Sequence, residues 1–442
     1  MSSDRAEPFM GESYSQDRAV LIEDEWSAWL ARIHIIENAA SSLDIMYHAI
    51  HPGKSSDILF GTIIEAADRG VTVRILMDGL VNRFTFLFND TVSLLNNHKN
   101  ITVQFYEPFT LLKPWTWNNR LHDKCIIADN EMLLIGGRNI NDNYFIAQNK
   151  GSAVRDRDVL VFNTNPDKPT ESVLDQAGGY FDRLWSHRFS KKAGSIPGIS
   201  LLAKKGQTKK EITGRLKTAR ESFPHLFSRK IDWHQNAYPT RRITLVHNPV
   251  ARFNKSPWIL NKIAALLQNA NSRVFIQSPY AIPTTRMQEI LGFTDLDDVA
   301  ISMLTNSMAT SRNYFAMAGY LKHRNRIKDL VDALYEYHGD GSLHAKTYII
   351  DDHISIIGSF NLDSRSAFLA TESVLVIHGE AFTAALQKNV DSAMASSYQA
   401  NKKRAAVSEK HPPFAEKREV PFIKRILVYL LYIPVYFFDF LL

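Results

Sequence analysis

Two short stretches of the chain place a lysine two residues after a histidine in an apolar setting. The first holds His122 and Lys124, and the second holds His344 and Lys346. Because alternate side chains of a β-strand point to the same face, each histidine is predicted to project beside its lysine. An imidazole serves as a nucleophile or a proton carrier, and an ammonium group holds anionic oxygens. Each His–Lys pair is therefore predicted to form half of a phosphate site.

The likeness between the two stretches extends beyond the histidine and the lysine. In each, an apolar run follows the lysine, an aspartate closes that run (Asp129 or Asp351), and a second apolar run leads to glycine and then to asparagine (Asn139 or Asn361). A pattern repeated with the same internal spacing indicates an internal duplication. The two halves are therefore expected to pack about a pseudo-two-fold axis, as the subunits of a symmetric dimer do, and to share one site.

The chemistry that suits two His–Lys pairs is the transfer or cleavage of a phosphodiester. The anionic phosphorus group repels nucleophiles, so an enzyme that uses no metal needs a nucleophile, an acid and fixed positive charge. One neutral imidazole attacks phosphorus to give a phosphohistidine, while the other protonates the leaving oxygen and later deprotonates the incoming alcohol or water. The predicted ligands of the phosphate oxygens are Lys124, Asn139, Lys346, Ser359 and Asn361.

A nucleophilic imidazole also requires a group that holds its second nitrogen, commonly a carboxylate that sets the tautomer. Each half has an acidic residue at the start of the next apolar strand, Asp158 in the first half and Glu372 in the second. We therefore predict that Asp158 and Glu372 are catalytic partners of the two histidines. A solvated acid at the strand edge is the alternative for either residue. The remaining histidines show no metal-ligand spacing, and neither a metal nor a cofactor is expected.

The sequence predicts that alternating helices and strands position these side chains. In the first half, apolar spacing predicts helices over 25–40 and 57–68 and strands over 43–50 and 71–77. In the second half, it predicts a helix over 261–269, strands over 273–277 and 299–304, and a helical region over 314–337. This order is typical of an α/β fold in which helices cover a sheet.

The composition is that of a folded globular protein. The chain has 442 residues, of which 45% are hydrophobic and 22% are charged, so disordered and collagen-like classes are excluded. The net charge of +6 suits an anionic partner, either nucleic acid or acidic lipid, without choosing between them. The N-terminus has no basic region followed by an apolar run, so no secretory signal is expected and the body of the protein is expected to be cytoplasmic.

The chain is predicted to divide into six segments. They are a polar leader (1–17), a first half (18–190), a basic connecting region (191–240), a second half (241–400), a basic and polar linker (401–420) and a hydrophobic segment (421–442). The lysines and arginines of the connecting region suit either a solvated linker or a surface that attracts phosphates near the mouth of the site.

The hydrophobic segment is too apolar for a free surface tail. Pro434 and Asp439 interrupt its apolar run, and Lys424 and Arg425 lie near its start, which is unlike an ordinary spanning helix. An interfacial helix or re-entrant anchor is favoured, with its basic residues facing anionic headgroups. A segment that crosses the membrane, and one that docks onto the protein's own core, are the alternatives.

The doubled pattern His-x-Lys-x-x-x-x-Asp, followed each time by glycine and asparagine, resembles the phospholipase D superfamily. Within it, the segments 135–145 and 358–372 are most similar to bacterial cardiolipin synthases of the short class that lacks an N-terminal membrane hairpin. The resemblance implies a duplicated α-β-α sandwich with one shared active site and no metal. It also implies that Asp129 and Asp351 are structural and hold the motif loops.

The function that the resemblance implies is phosphatidyl transfer, in which cardiolipin is formed from phosphatidylglycerol and a second phospholipid, either phosphatidylglycerol or phosphatidylethanolamine. By analogy with the family, His122 is expected to be the nucleophile and His344 the acid. The expected partners are phospholipid substrates and an anionic membrane surface, and nucleic acid is not expected. The expected location is the cytoplasmic face of the bacterial inner membrane, with peripheral or C-terminal attachment.

Three alternatives keep the same fold. A hydrolytic phospholipase D would resolve the intermediate with water instead of a lipid alcohol. A nuclease or phosphodiesterase of the superfamily would suit the basic charge, although it has no need of a hydrophobic C-terminal segment. A membrane scaffold without activity would be expected to have lost a histidine or lysine from one motif, and both motifs are complete.

Overall fold

The computed structural model describes residues 6–82, 91–147, 149–165, 172–193, 209–228, 231–296, 298–402 and 419–438. Parts of the predicted leader, connecting region, linker and hydrophobic segment lie outside these ranges. In the described chain, the protein is an α/β structure built on two mixed sheets, one in each half. The predicted duplicated fold class is confirmed.

The strands of the first half, in chain order, are β1 (Asp17–Ile22), β2 (Ser42–Tyr47), β3 (Thr72–Asp78), β4 (Ile101–Tyr106), β5 (Lys124–Ala128), β6 (Met132–Gly136), β7 (Val154–Arg155), β8 (Asp158–Asn163), β9 (Ser190–Lys192) and β10 (Tyr238–Pro239). Those of the second half are β11 (Arg242–His247), β12 (Arg273–Gln277), β13 (Ala300–Asn306), β14 (Ala333–Tyr337), β15 (Ser342–Leu343), β16 (Thr347–Ile350), β17 (Ile354–Gly358), β18 (Ser373–His378) and β19 (Ser397–Lys402).

The helices before the second half are α1 (Glu25–Glu37), α2 (Lys54–Asp68), α3 (Thr91–Asn96), α4 (Val173–Trp185), α5 (Lys209–Ser222) and α6 (Pro224–Ser228). The later helices are α7 (Trp258–Leu267), α8 (Thr285–Leu291), α9 (Tyr314–Leu330), α10 (Ser364–Phe368), α11 (Glu380–Ala395) and α12 (Phe422–Phe438).

The two sheets repeat one topology. Among the described residues, the first sheet runs β10-β1-β8-β6-β5-β2-β3-β4-β9, and the second runs β11-β18-β17-β16-β12-β13-β14-β19. In each, three strands pair in parallel (β2, β3 and β4; β12, β13 and β14), and the motif strand (β5 or β16) joins them antiparallel. Lys124 pairs with Tyr47 at the carboxyl end of β2, and Thr347 pairs with Gln277 at the carboxyl end of β12. Both motifs therefore begin at the edge where the parallel strands end, which is where α/β proteins place their ligands.

Apolar side chains form three layers of core around the sheets. One layer lies between the first sheet and helices α1 and α2, and another lies between the second sheet and helices α7 and α9. The third contains residues of both sheets together with α4 and α11, so these two helices lie between the halves. The shared middle layer fixes the halves against each other, because burying both apolar faces requires both sheets.

The predicted helical region 314–337 is wrong in its second part. Helix α9 ends at Leu330, and residues Ala333–Tyr337 form strand β14, parallel to β13. The side chain of Asn401 accepts a bond from Leu334 and donates to the carbonyl of Val331, which stabilises the turn into the strand. All five residues of β14 are buried, so tertiary packing overrides the local helical spacing.

Three cations of the connecting region pair with acids on the first half. In helix α5, Lys209 pairs with Asp68 and Arg215 with Asp57, while Arg220 pairs with Glu65 and Glu37. Their partners lie on α1 and α2, on the outer face of the first sheet. These three side chains thus attach the connecting region to the first half.

Helix α12 packs on α9 through one face. Val428 and Val435 are buried there, and Lys424 Nζ donates to the carbonyls of Ala309 and Ser311 at 2.9 and 2.7 Å. The opposite face leaves large apolar side chains exposed, namely Phe422, Ile423, Tyr429, Leu430, Ile433, Tyr436, Phe437 and Phe438. Over the described ranges, none of the helices has the length and apolar character needed to cross a membrane.

Candidate active site

His122 lies at the boundary between the two halves. Its backbone N–H donates to the carbonyl of Thr371, in the segment that leads into β18 of the other half. The next residue of that segment is Glu372, and its carboxylate lies 2.8 Å from His122 Nδ1. The carboxylate that orients the first histidine therefore comes from the second half.

His344 has the reciprocal arrangement. Its backbone N–H donates to the carbonyl of Arg155, and its Nδ1 lies 2.6 Å from a carboxylate oxygen of Asp156. Strand β15 immediately before His344 pairs in parallel with β7 of the first half, which fixes this register. A carboxylate at Nδ1 favours the tautomer of the neutral imidazole in which Nε2 carries the lone pair. In the second half, Nζ of Lys346 lies 3.3 Å from Nε2 of His344.

The predicted partner Asp158 is wrong, and Asp156 occupies that position instead. Asp158 is fully buried and forms ion pairs with Arg32 and Arg138 at 2.8 and 3.0 Å. Asp156 lies between β7 and β8, outside both strands, so the alternation of side chains within a strand does not place it on the same face as Asp158. Asp158 and the two arginines thus form a buried ion-pair cluster.

The register of the sheets explains the error. Asp158 pairs with Gly136, and the residue that pairs with the equivalent Gly358 is Val374. Glu372 precedes Val374 by two positions, so its counterpart in the first half precedes Asp158 by two positions. The register of the strands, and not the order of the acids along the sequence, therefore identifies Asp156 as the counterpart of Glu372.

In each motif, the residue after the first glycine lies against the carboxylate that orients a histidine. A Cβ atom at Gly137 would lie 2.2 Å from Asp156, so only glycine fits there. The equivalent Ser359 is fully buried, and its hydroxyl donates to Glu372 at 2.5 Å. The hydroxyl of Ser359 is thus bonded to the carboxylate that orients His122, and its role as a phosphate ligand stays a prediction.

The two motif lysines are buried in the same region. Lys124 Nζ donates to the carbonyl of His122, and Lys346 Nζ donates to that of His344. Burial lowers the pKa of Lys124 to about 7, and the neighbouring positive charge of Lys346 contributes to this shift. Burial also lowers the pKa of Lys346 to about 8. Two adjacent ammonium groups in a desolvated setting favour an anion between them.

The histidines and their carboxylates are not electrostatically equivalent. Burial and the nearby lysines hold the pKa of His122 well below its usual range and lower that of His344 to about 4. Burial raises the pKa of Glu372 to about 7. For Asp156 the charges of Lys346 and His344 outweigh burial and lower the pKa. The carboxylate beside His344 is therefore the more firmly ionised of the two.

Other predicted residues lie where the motifs end or begin. The amide oxygens of Asn139 and Asn361 are buried without a hydrogen-bond partner among the described residues, which leaves both free to meet a ligand.

Asp129 accepts hydrogen bonds from the backbone N–H groups of residues 40, 41 and 42, and Asp351 accepts hydrogen bonds from those of residues 271, 272 and 273. The contacts of the two aspartates are thus with the loops before β2 and β12.

Aromatic rings border the two histidines. The ring of His48 lies 4.7 Å from that of His122, and its Nδ1 lies 2.7 Å from the carbonyl of Leu121. The rings of Tyr144 and Tyr280 lie 5.6 and 6.4 Å from that of His344. Among the residues that the structure describes, no group of three or more His, Cys, Asp or Glu side chains is arranged to hold a metal ion.

Two α/β halves that each supply one His–Lys pair to a shared site define the phospholipase D superfamily. A family model described as "Cardiolipin synthase, PLD-like domain" matches residues 33–185 and 263–394, and the chain belongs to this family. The protein is a phospholipase D-type phosphatidyltransferase of the cardiolipin synthase-like kind.

Several known proteins are similar over most of their length. An uncharacterized protein of Helicobacter pylori is 30% identical over 413 residues, covering 84% of this chain and 78% of that protein. Cardiolipin synthase C of Escherichia coli is 27% identical over 406 residues, covering 83% of this chain and 82% of that protein. The crystal structure of phosphatidylserine synthase from Haemophilus influenzae has the same fold, with a TM-score of 0.65 at 15% identity and complete coverage of both chains.

Proposed function

We propose that this protein transfers a phosphatidyl group through a phosphohistidine and forms cardiolipin from phosphatidylglycerol and a second phospholipid. The second lipid is phosphatidylglycerol or phosphatidylethanolamine. The observation that carries the proposal is the reciprocal pairing of His122 with Glu372 and of His344 with Asp156 across the two halves. It orients two imidazoles toward one cleft that also holds two lysines.

In the first step, Nε2 of His122 forms a bond to the phosphorus of phosphatidylglycerol. The bond from phosphorus to the oxygen of the headgroup glycerol breaks, and protonated His344 donates its Nε2 proton to that oxygen. Lys124 and Lys346 hold the non-bridging oxygens that gain charge. Glycerol leaves, and the phosphatidyl group remains on His122.

In the second step, a hydroxyl of another phosphatidylglycerol attacks the same phosphorus. His344 accepts the proton of that hydroxyl, the new oxygen–phosphorus bond forms and the nitrogen–phosphorus bond to His122 breaks. Cardiolipin is released, and His344 is again protonated for the next turnover. When phosphatidylethanolamine is the donor, ethanolamine leaves in place of glycerol.

The unequal carboxylates support this division of roles. An ionised carboxylate stabilises an imidazolium, and Asp156 beside His344 has the lowered pKa. Glu372, whose burial raises its pKa to about 7, gives less support to a positive charge on His122. His344 is thus the better acid and His122 the better neutral nucleophile. An anionic phosphodiester between them would favour protonation of His344 further.

The decisive experiment traps the intermediate on the purified protein. Phosphatidylglycerol with labelled phosphorus, supplied in mixed micelles, should label His122 in wild type and in His344→Ala, but not in His122→Ala. His353→Ala, a change at the far end of β17, serves as the matched control and should behave as wild type. Label confined to His344 would reverse the roles, and absence of lipid products with all headgroup donors would reject the proposal.

The same assay separates the alternatives. Phosphatidic acid as the main product would indicate hydrolysis, whereas cardiolipin indicates transfer. Single-stranded DNA supplied in parallel tests the nuclease alternative. Three cations of α5, namely Lys209, Arg215 and Arg220, are paired with acids of the first half, which weakens the nuclease alternative.

We further propose that the protein works at the cytoplasmic face of the bacterial membrane as a peripheral protein. The exposed face of α12 supports this, because amphipathic helices with aromatic residues bury that face at the headgroup boundary. At the start of the helix, the amino group of Lys424 bonds to the protein, whereas Arg425 is exposed. Anionic lipids would attract Arg425.

A further inference from the structure

A second apolar surface lies on the loop between β4 and β5, which leads directly into the first motif. At the tip of this loop, Leu111 is 71% exposed, Leu112 is 84% exposed and Trp115 is 52% exposed. Lys113 and Pro114 lie between them and are also exposed. We refer to residues 111–115 as the tip. Five consecutive exposed residues that include two leucines and a tryptophan are costly in water and indicate an apolar partner.

The tip is held by an ordered base. The rings of Phe109 and Trp117 lie 5.4 Å apart, and Trp117 Nε1 donates to the carbonyl of Thr110 at 3.1 Å. The guanidinium of Arg120 donates to the carbonyls of Glu107 and Thr116, both at 3.1 Å. Arg120 is buried and lies two residues before His122, so the tip has a fixed position relative to the active site.

Positively charged side chains lie in the tip and near its base. Lys113 is part of the tip and is exposed. Arg188 is also exposed, and it lies near the base of the loop, because the carbonyl of the next residue, Phe189, accepts a hydrogen bond from the backbone N–H of Glu107. The carboxylate of Glu107 is itself paired with Arg252 at 2.6 Å. An apolar tip with exposed lysine and arginine around it complements an anionic lipid surface, in which the charges meet headgroups and the apolar side chains enter the acyl boundary.

The tip and the start of α12 lie at the same end of the molecule. The tip follows β4, and Lys424 of α12 contacts the loop that follows β13. Both strands belong to the parallel sets whose carboxyl ends surround the motif histidines. The tip and the first residues of α12 therefore lie at the edges where the parallel strands of the two halves end.

We propose that the tip inserts into an anionic lipid surface and so places the opening of the active site against that surface. This inference rests on the proposed function, because a lipid substrate has its phosphodiester at the level of the headgroups, where the opening of the active site would then lie. A lipid fits better than a protein partner, since a specific protein interface buries about 800 Å² on each side and the tip offers only a few side chains.

Insertion is tested with a probe at the tip. Leu112→Cys in a Cys125→Ala background carries an environment-sensitive fluorophore, because Cys125 is buried and is the only cysteine of the chain. Vesicles of phosphatidylglycerol and phosphatidylcholine should shift the emission to the blue. The same probe at Tyr14→Cys, an exposed aromatic position near Arg241 at the opposite edge of the sheets, should not respond. An unchanged spectrum at position 112 overturns the proposal.

A second measurement tests whether insertion of the tip is needed for activity on a lipid surface. The triple variant Leu111→Ser, Leu112→Ser, Trp115→Ser should lose about tenfold or more of its activity on vesicles and keep its activity on a monomeric short-chain phosphatidylglycerol. Tyr14→Ser should keep both. Equal loss on the two substrates, or no loss on vesicles, contradicts the proposal.

Two further measurements test for a contact between copies of the chain and for insertion without catalysis. If sedimentation without lipid shows a dimer that the triple variant abolishes, the tip is a contact between copies of this chain and the lipid proposal is wrong. The labelled protein that also carries His122→Ala should still show the blue shift, because insertion does not need turnover. A blue shift in a protein that converts no phospholipid would therefore reject the proposed function and leave the insertion proposal standing.

Discussion

Nδ1 of His122 lies 2.8 Å from the carboxylate of Glu372, a residue of the opposite half and 250 positions further along the chain. His344 and Asp156 show the same relationship in reverse. Each half thus contributes a histidine that only the other half can orient.

The first prediction separates Asp156 from Asp158. Asp156→Asn should lower kcat about 10²-fold or more, because the amide no longer accepts the Nδ1 proton of His344 as a carboxylate does. Asp158→Asn should instead lower the free energy of unfolding by about 3–5 kcal/mol, because it leaves Arg32 and Arg138 buried without their counter-charge. Steady-state kinetics and denaturant unfolding of both variants are the measurements. A large loss of kcat in Asp158→Asn with normal stability would contradict the assignment.

The second prediction concerns stability against pH at Glu372. The folded-state pKa is raised from 4.5 to about 7, so the folded protein holds this proton more tightly than the unfolded chain. Stability should therefore fall as pH rises from about 5 to 7, by on the order of 3 kcal/mol from this residue. Glu372→Gln should lack this decrease, as measured by urea unfolding at a series of pH values. Parallel curves for the two proteins would refute the prediction.

The third prediction concerns the motif lysines. They bind phosphate oxygens as ammonium groups, and burial lowers their pKa values to about 7 and about 8. The KM for phosphatidylglycerol should therefore rise as pH increases through 7 to 9, because the free enzyme loses these charges. Lys346→Arg keeps its charge at all these pH values and should show a weaker rise. A KM that does not change with pH in wild type would rule out the role given to the two ammonium groups.

The fourth prediction concerns Asp351, which accepts bonds from three successive backbone N–H groups. These bonds lower its pKa from 3.8 to about 2 despite partial burial, so its stabilisation is complete above about pH 4 and is lost as pH falls toward 2. Asp351→Asn should lower the free energy of unfolding at pH 7 by about 1–3 kcal/mol. The neighbouring Asp352→Asn, at an exposed position, should change it by less than about 0.5 kcal/mol. Equal effects of the two changes would show that the backbone bonds of Asp351 are not stabilising.

The fifth prediction concerns helix α12. Leu430→Ser, Ile433→Ser and Phe437→Ser together should weaken binding to anionic vesicles about tenfold or more, because they remove exposed apolar area. Unfolding free energy should change little, since none of the three side chains is buried. Vesicle sedimentation and denaturant unfolding are the measurements, with Tyr14→Ser as the control. Unchanged sedimentation would reject α12 as a membrane contact.

Much of the site was predictable from the sequence because its signals are local. A histidine and a lysine two residues apart share a strand face wherever that strand lies, so the four motif residues are found without a structure. The repeat of the whole pattern predicts the duplication, and the run of alternating helices and strands predicts the α/β class. Glu372 was also found, although nothing local shows that its partner is His122.

What only the tertiary structure decided depends on contacts between distant parts of the chain. Asp156 and Asp158 are both acids before the same apolar strand, and the register with Gly136 alone determines which one meets a histidine. Strand β14 follows a helix in a sequence with helical spacing, and its pairing with β13 overrides that spacing. The crossing of the carboxylates between halves requires the paired segments β7 and β15. Side-chain spacing is encoded within a few residues, whereas register and pairing follow from packing the whole core.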